Sequence, residues 1–216
     1  PFPTVLGHEF CGRVARVGEG VGFAVGERVT SAVTGACGDC RDCRAGRPNL
    51  CGTAFDHRVW GTWAEYARIP ARIVRGGLLR VPDGLSPAAA ALLDPLASVL
   101  RGLGRVPDPA GRTALVLGAG PIALLFTSLL VRRGAARVLV AGRSPKRLAA
   151  HVALGAEGVS MRESLSSQLR DLTRGLGADI VVETTGVPGI ADEASGLAAR
   201  GGTVLESHRR AAKRLE

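Results

Sequence analysis

The sequence contains few aromatic residues and few lysines. Phe, Trp and Tyr make up 4% of its 216 residues, so aliphatic side chains must supply most of the core, and a hydrophobic fraction of 46% is sufficient for one. Lysine occurs only at positions 146 and 213, and the arginines behind the formal net charge of +9 are spread along the chain. Scattered arginines without interleaved aromatic residues are typical of a solvated surface, so we expect no nucleic-acid partner.

The chain also lacks the basic-then-apolar pattern of a secretory leader, which predicts a cytoplasmic protein. Residues 114–131 carry no charge and meet a simple length criterion for a transmembrane helix. A Gly-Ala-Gly-Pro turn in the first half of this stretch favours a strand followed by a helix, so we expect no membrane partner. Five cysteines, four of them within fifteen residues, fit a metal site in a reducing compartment better than a disulfide framework.

The most specific motif is the cysteine cluster Cys37, Cys40, Cys43 and Cys51. Its spacing, C-x2-C-x2-C-x7-C, can wrap four thiolates around one tetrahedral zinc ion, the closed ligand set of a structural site. An iron–sulfur cluster is the alternative, because C-x2-C-x2-C also begins ferredoxin-type runs. Those runs place the fourth cysteine sooner and follow it with proline, so ligand type and spacing favour zinc.

Side chains of the kinds that bind metal ions also occur outside the cysteine cluster. His8 and Glu9 stand at the head of a region whose short apolar runs, separated by glycines, predict antiparallel strands of a compact barrel. A histidine at a strand end is more often structural than a ligand; the functional alternative is that His8 binds a metal, with Glu9 beside it. Asp94 falls in a mostly apolar helix predicted for residues 88–103. A carboxylate there is costly unless it is paired or bound to metal, although an exposed helix stripe would also explain it.

A strand predicted for 114–118 leads through a glycine turn into a helix that begins at Pro121, the pattern G-x-G-x-x-A of a dinucleotide-binding unit. Gly118 permits the tight turn, Gly120 lets a pyrophosphate approach the backbone, and Ala123 lets helix and strand pack closely. Strands alternate with helices after this turn, which predicts a doubly wound parallel sheet. Ligands bind at the carboxyl ends of such strands. The cofactor-binding residues predicted around this edge also include Pro121, Ile122 and Thr185.

The next predicted strand, 137–141, distinguishes between the two nicotinamide cofactors. An acid at its end would bind the ribose 2′-hydroxyl of NAD, but the chain has Gly142, Arg143 and Ser144 there, with Arg147 close behind. A small residue followed by cations suits a 2′-phosphate, so we expect NADP(H) to be preferred over NAD(H). The alternative is that these cations simply begin a solvated helix.

Taken together, these motifs resemble the zinc-dependent medium-chain alcohol dehydrogenase family, in its polyol or sorbitol dehydrogenase-like branch. The resemblance covers about residues 1–206 and rests on motifs that occur in order: Gly7-His8-Glu9, the cysteine cluster, the strand Ala64-Glu65-Tyr66, the segment 92–97 and the turn 118–125.

The resemblance implies an α/β fold: a partial GroES-like β-barrel domain over residues 1–88, with its structural-zinc lobe at 37–51, and a doubly wound Rossmann domain over 89–216, with the active site in the cleft between them. It further implies that His8, Glu9 and Asp94 are catalytic and surround a second zinc ion. The implied reaction is hydride transfer between an alcohol or polyol, or its ketone or aldehyde, and the nicotinamide, with zinc as the Lewis acid on the substrate oxygen.

The family also places a cysteine ligand of the catalytic zinc, and the residue that starts a proton relay, further ahead of the Gly-His-Glu motif than this chain extends. We therefore expect a sequence truncated at both ends. A truncated, non-catalytic zinc- and dinucleotide-binding chain is the alternative function, whereas a zinc-free quinone reductase is disfavoured by His8, Asp94 and the cysteines. The expected partner is a small alcohol or polyol, and a homo-oligomer is possible for the full-length protein.

Overall fold

The computed structural model describes residues 5–207. The chain divides into two compact units, Pro1–Leu96 and Ala97–Glu216. Among the described residues, no helix is long and apolar enough to cross a membrane.

Short strands joined by loops make up the first unit. Its antiparallel sheet has the order β1-β2-β3, with strands Gly12–Arg13, Arg28–Ser31 and Leu78–Arg80. Val29 in β2 pairs with Gly12 on one side and with Arg80 on the other, which confirms the antiparallel pairing predicted for this region. The helices are α1, Arg41–Arg44, α2, Ala71–Gly76, and α3, Pro87–Ala91, with 3-10 turns at Pro48–Leu50 and Ala54–His57.

The strand predicted at Ala64–Tyr66 does not form. Just ahead of it, the backbone N–H groups of Gly61 and Thr62 both donate to the carbonyl of Gly7, at 2.9 and 3.2 Å. Two donors on one carbonyl interrupt the alternation that a strand ladder requires. The segment is nevertheless held against the residues around His8 by these bonds.

The helix predicted for 88–103 is divided into α3 and α4, Leu93–Leu103. Pro95 explains the break, because it has no N–H to donate to the carbonyl of Ala91 and its ring would clash with that carbonyl. Ser86 caps α3, its hydroxyl accepting from the N–H of Ala89 at 3.2 Å. The break leaves Asp94 in the first turn of a new helix rather than in the middle of a long one.

The second unit contains a five-stranded sheet of order β6-β5-β4-β7-β8, whose neighbouring strands all pair in parallel. Its strands are β4, Thr113–Leu117, β5, Arg137–Gly142, β6, Glu157–Ser160, β7, Ala178–Glu183, and β8, Ala198–Glu206. Its further helices are α5, Pro121–Arg132, α6, Pro145–Val152, α7, Leu165–Leu172, and α8, Ile190–Leu197.

The core of the second unit lies on both faces of this sheet. In β4, Ala114 and Val116 contribute to one buried cluster, with Phe126 of α5. Leu115 and Leu117 contribute to the other, together with residues of α7 and α8. Side chains of a strand alternate between faces, so burial on both faces requires a continuous apolar run, as in ALVL. The predicted doubly wound sheet is therefore confirmed.

Candidate functional site

The structure brings together the three residues predicted around a catalytic metal. One ligand atom each of His8, Glu9 and Asp94 lies within 4.8 Å of the others. His8 and Asp94 are partly buried and Glu9 is exposed. An imidazole and two carboxylates at this separation fit zinc, and three protein ligands would leave a coordination position for substrate. Nothing in the sequence spacing places Asp94 beside His8, and their proximity is a product of the fold of the first unit.

The backbone around His8 is held by the segment 61–63. Gly7 has a φ of +97°, and a Cβ added to it would lie 2.4 Å from Cδ1 of Trp63, so only glycine fits this position. On the far side of His8, the hydroxyl of Thr62 donates to the carbonyl of Glu9 at 3.2 Å. These contacts explain why a glycine precedes the His-Glu pair.

Trp60 covers one side of the imidazole. The ring centroids of His8 and Trp60 are 5.7 Å apart and their planes differ by 6°. The guanidinium carbon of Arg58 lies 5.6 Å from the centroid of the Trp60 ring. Trp60 and Trp63 are 46% and 75% exposed, so neither is a core residue, and Trp60 forms part of this site.

The four cysteines predicted to bind structural zinc also converge. Their Sγ atoms all lie within 4.8 Å of one another, and those of Cys37 and Cys43 are 3.9 Å apart. A tetrahedral zinc with Zn–S bonds near 2.3 Å has sulfur–sulfur edges of about 3.8 Å. The donor set and its dimensions therefore fit one zinc ion.

Backbone N–H groups already favour thiolates at two of these cysteines. The N–H groups of Asp39 and Cys40 donate to Cys37 Sγ at 3.4 and 3.2 Å and lower the pKa of that thiol. The N–H of Cys37, 3.3 Å from Cys51 Sγ, is the main cause that lowers the pKa of the Cys51 thiol to about 6. Burial raises the pKa of the Cys43 thiol to about 12. A bound divalent cation would offset that cost, since metal coordination deprotonates thiols.

The glycine turn lies where β4 ends, between β5 and β7, at the point where the strand order reverses. Gly118 has a φ of +107°, and a Cβ there would lie 2.5 Å from the hydroxyl oxygen of Thr184. Backbone strain and lack of space thus both require glycine. Reversal points of this kind are where open parallel sheets bind nucleotides.

Gly120 differs from Gly118 in both respects. As the N-cap of α5 it has a φ of −88°, and a Cβ added to it would meet no protein atom within 4 Å. Neither the backbone nor the surrounding protein requires glycine there, which leaves room for a ligand at the helix N-terminus. Of the residues that follow, Pro121 is exposed, Ile122 is partly buried and Ala123 is completely buried against the core.

The residues predicted to set the preference for NADP(H) over NAD(H) lie at the end of β5. Gly142 is buried, and a Cβ there would lie 2.8 Å from the Cβ of Ala119 in the glycine turn. The Ser144 hydroxyl accepts from the N–H of Arg147 at 3.4 Å and caps α6. Arg143 and Arg147 are both exposed. Within the described part of the chain, neither arginine forms an ion pair.

Thr185 is held in place at the end of β7. Its backbone N–H donates to Oε1 of Glu183 at 2.6 Å, and its hydroxyl donates to the same oxygen. Glu183 is fully buried. The neighbouring Thr184 donates its hydroxyl to the carbonyl of Leu117 at 2.7 Å. These bonds position both threonines beside Gly118.

A cavity of about 400 Å³ opens beside this edge of the sheet. Ser98 and Arg101 of α4 line it together with Ile122, Thr184 and Leu205. The sequence pointed to Ile122 alone among these five. Small-molecule sites are concave and mostly apolar with a few polar groups, which describes this lining.

Two family descriptions match the chain. The alcohol dehydrogenase GroES-like domain matches residues 1–83, and the zinc-binding dehydrogenase domain matches residues 121–206. The L-threonine 3-dehydrogenase of Pseudoalteromonas atlantica is 36% identical over 193 residues. The chain belongs to the zinc-dependent medium-chain alcohol dehydrogenase family. Its two units therefore have the GroES-like and Rossmann folds of that family.

Solved structures of the family are similar over nearly the whole chain. A zinc-binding dehydrogenase from Sinorhizobium meliloti 1021, bound to NADP, superposes with a TM-score of 0.87 at 31% identity, covering 100% of this chain and 64% of its own. An alcohol dehydrogenase from E. coli CFT073, complexed with NADH, superposes with a TM-score of 0.80 at 29% identity, covering 95% of this chain and 61% of its own.

The chain spans about half the length of the curated relatives it matches. The alignment with the Pseudoalteromonas atlantica enzyme covers 87% of this chain and 55% of that protein.

Proposed function

We propose that this chain supplies the metal and cofactor sites of a zinc-dependent dehydrogenase that transfers a hydride between an alcohol or polyol and NADP(H). The convergence of His8, Glu9 and Asp94 within 4.8 Å carries this proposal, because a purely structural chain has no use for a second, open set of metal ligands.

At the metal site, His8 and Asp94 would hold the ion from partly buried positions, and Glu9 would be the third, exposed ligand. Bound zinc would supply a Lewis acid for the alcohol oxygen. The stack of Trp60 on His8 would fix the orientation of the imidazole, since ligands need support beyond the metal itself to stay oriented.

At the cofactor site, the backbone of Gly118 and Gly120 and the N-terminus of α5 would bind the pyrophosphate. Pro121 favours the first turn of that helix, Ile122 lines the adjoining cavity and Ala123 packs the helix against the sheet. Thr185 would contact the cofactor from the end of β7. These residues would hold the nicotinamide cofactor in place, and none of them would form or break a bond during hydride transfer.

The preference for NADP(H) rests on Gly142, Arg143, Ser144 and Arg147. Gly142 leaves no carboxylate at the end of β5 to repel a phosphate, and the exposed arginines are free to bind one. The similar structures include one with NADP and one with NADH, so they favour neither cofactor.

The experiment that tests this function has a metal arm and a catalytic arm. Metal analysis of the purified chain should find two zinc ions. Absorbance of the reduced nicotinamide should change when the chain is mixed with zinc, NADP⁺ and an alcohol from a panel of polyols, simple secondary alcohols and L-threonine, and should change less with NAD⁺. Two zinc ions without any alcohol- or ketone-dependent change would contradict the catalytic assignment.

A non-catalytic chain that binds structural zinc and dinucleotide is the second candidate. It is favoured by the exposure of Glu9, which leaves the triad with two partly buried ligands among the described residues. One zinc ion per chain, together with retained NADPH binding, would establish this function instead.

A further inference from the structure

Arg72 of α2 reaches the cysteine lobe, residues 37–51, through a threonine that lies just beyond it. Nη1 of Arg72 donates to the hydroxyl oxygen of Thr53 at 3.2 Å. The same hydroxyl oxygen lies 3.5 Å from Sγ of Cys51. Cys51 is 6% exposed and is the buried member of the four cysteines. A cation from a later helix is thus separated by a single hydroxyl group from a sulfur assigned to the zinc.

The chemistry of the three groups fixes the direction of both hydrogen bonds once zinc is bound. A guanidinium has donors and no acceptor, so Arg72 always donates to Thr53. A cysteine that binds zinc is a thiolate without a proton, so Cys51 can only accept. The hydroxyl of Thr53 therefore accepts from Arg72 and donates its own proton to Cys51. In the metal-free chain the thiol can itself donate to Thr53, so metal binding sets the direction of this second bond.

The position of Arg72 beside the lobe follows from the packing of α2 in the first unit. Its neighbour Ile73 is fully buried and anchors the helix. A Cβ added to Gly35 would lie 3.1 Å from Cγ of Arg72, so a larger residue at position 35 would crowd the stem of the arginine. Just after α2, the carbonyl of Gly77 accepts from the N–H of Ala32, which follows β2, at 2.9 Å. The helix is therefore fixed to the sheet, and Arg72 extends from it to the lobe.

The charge of Arg72 is suited to the cysteine site. Four thiolates around one divalent zinc leave an excess of negative charge, which nearby cations stabilise. Arg44 and Arg47 of the lobe are already paired with the lobe's own acids, Asp39 and Asp42, each at 2.7 Å. Arg72 comes from outside the lobe, and no carboxylate of the described residues pairs with it. Its positive charge thus remains available to the thiolates.

We propose that Thr53 and Arg72 are positioning residues for the structural zinc: Thr53 donates a hydrogen bond to the Cys51 thiolate, and Arg72 holds that hydroxyl in place from α2. The inference rests on the assignment of zinc to the four cysteines, which is part of the proposed function, and it adds two residues that do not touch the metal. Hydrogen-bonded partners of metal ligands orient those ligands, and their loss typically costs about 10- to 100-fold in metal affinity.

The test uses the whole chain with Co²⁺ in the cysteine site. Thiolate-to-cobalt charge-transfer absorbance reports this site alone, because the ligands of the other metal site contain no sulfur. Thr53→Val removes the hydroxyl at nearly constant volume, and Thr53→Ser keeps it. Arg72→Met keeps most of the stem without its donors, whereas Arg72→Lys keeps a charged donor. Arg75→Met is the matched control, because Arg75 is an exposed arginine of the same helix.

Two quantities are measured: the wavelength of the charge-transfer band and the rate at which excess EDTA removes Co²⁺. A hydrogen bond withdraws electron density from a thiolate, so its loss should move the band to longer wavelength. For Thr53→Val we expect this shift together with release that is about 10-fold faster. Arg72→Met should change both quantities in the same direction by less, because the hydroxyl remains. Thr53→Ser, Arg72→Lys and Arg75→Met should stay close to wild type.

The double variant distinguishes a relay from two independent effects. Because Arg72 acts through Thr53, adding Arg72→Met to Thr53→Val should accelerate Co²⁺ release no further. Effects that multiply in the double variant, an unmoved band in Thr53→Val or wild-type release from Arg72→Met would each overturn the inference. Release from Arg75→Met as fast as from Arg72→Met would do the same, since loss of any nearby charge would then suffice.

Failure of the proposed function gives different results. A wild-type chain that shows no charge-transfer band with Co²⁺ would overturn the cysteine site and this inference together. A chain that shows the band but no alcohol-dependent change in nicotinamide absorbance would contradict the catalytic assignment alone, and the comparison of the Thr53 and Arg72 variants would still decide the inference.

Discussion

The two units of this protein build their sites in different ways. In the first, the atoms proposed to bind metal belong to side chains from separate segments: residues 8 and 9 in a loop, residue 94 in the first turn of α4, and a cysteine lobe with little regular structure. In the second, the groups proposed to bind phosphate belong to the backbone of one continuous turn between β4 and α5. The first depends on the convergence of distant segments and the second on the conformation of adjacent residues.

The difference predicts how each site responds to substitution. Loss of one metal ligand in the first unit should weaken ion binding more directly than it disturbs the positions of the other ligands, because each ligand is held by its own segment of the chain. In the glycine turn, a substitution whose new atom meets other protein atoms should lower stability. A substitution whose new atom enters open space should instead weaken ligand binding and leave stability unchanged.

The largest effect should follow from Cys43→Ser. Metal binding contributes roughly 10–16 kcal/mol in small structural-zinc domains, so loss of one thiolate should remove that zinc and destabilise the first unit. Both tryptophans lie in the first unit, so their fluorescence follows its unfolding. Cys11→Ser is the matched control, since Cys11 is outside the four-cysteine cluster. Unchanged zinc content in Cys43→Ser would remove the structural-zinc assignment.

The next largest effect should follow from Gly118→Ala. Alanine would be strained at a φ of +107° and would clash with Thr184, which together cost about 2–4 kcal/mol of stability in the second unit. Gly120→Ala meets no protein atom within 4 Å, so it should leave stability unchanged and weaken NADPH binding. Urea unfolding by circular dichroism and NADPH titration separate the two outcomes. Equal stability loss in both variants would contradict the distinction between these glycines.

A smaller effect is expected for Asp94→Asn. The amide keeps the shape but loses the charge, so affinity of the triad for Co²⁺ should fall about 10- to 100-fold while the cysteine site keeps its zinc. Titration with Co²⁺, followed by its visible absorbance, measures this directly. Glu65→Gln removes an exposed carboxylate of the same unit and should change nothing. Equal Co²⁺ affinity in all three proteins would show that Asp94 is not a ligand.

The smallest effect concerns pH. Burial is the main cause that lowers the pKa of His151, so the folded chain releases this proton more readily than the unfolded one. As the pH falls through about 6.5 toward the lower folded-state pKa, the unfolded chain binds the proton first and stability decreases, by at most about 1.4 kcal/mol per pH unit. Above pH 6.5 the contribution should be constant.

The difference in unfolding free energy between wild type and His151→Gln isolates this contribution, because the remaining histidines are common to both proteins. Urea midpoints measured from about pH 7.5 to about pH 5 should converge as the pH falls. Parallel profiles would mean that His151 titrates alike in the folded and unfolded chains.

Several features could be predicted from the sequence because each depends on neighbouring residues. The glycine turn and the alternation of strands and helices after residue 113 are local, and the structure confirms them. Cysteine spacing predicted a zinc lobe, whose sulfur atoms the structure brings within reach of one ion. Periodicity failed at Pro95, where one residue without an N–H divides the predicted helix, and at the edge strand β6, whose sequence EGVS has little apolar character of its own.

Other features were decided by the tertiary structure alone. Asp94 lies beside His8 and Trp60 stacks on that imidazole, each across a separation that no local pattern encodes. Such contacts depend on where whole segments pack, and packing is set by the sum of many weak apolar interactions rather than by the residues that meet. The amino-acid sequence therefore determined which chemical groups this protein has and the local shape around them, whereas the fold determined which of those groups act together.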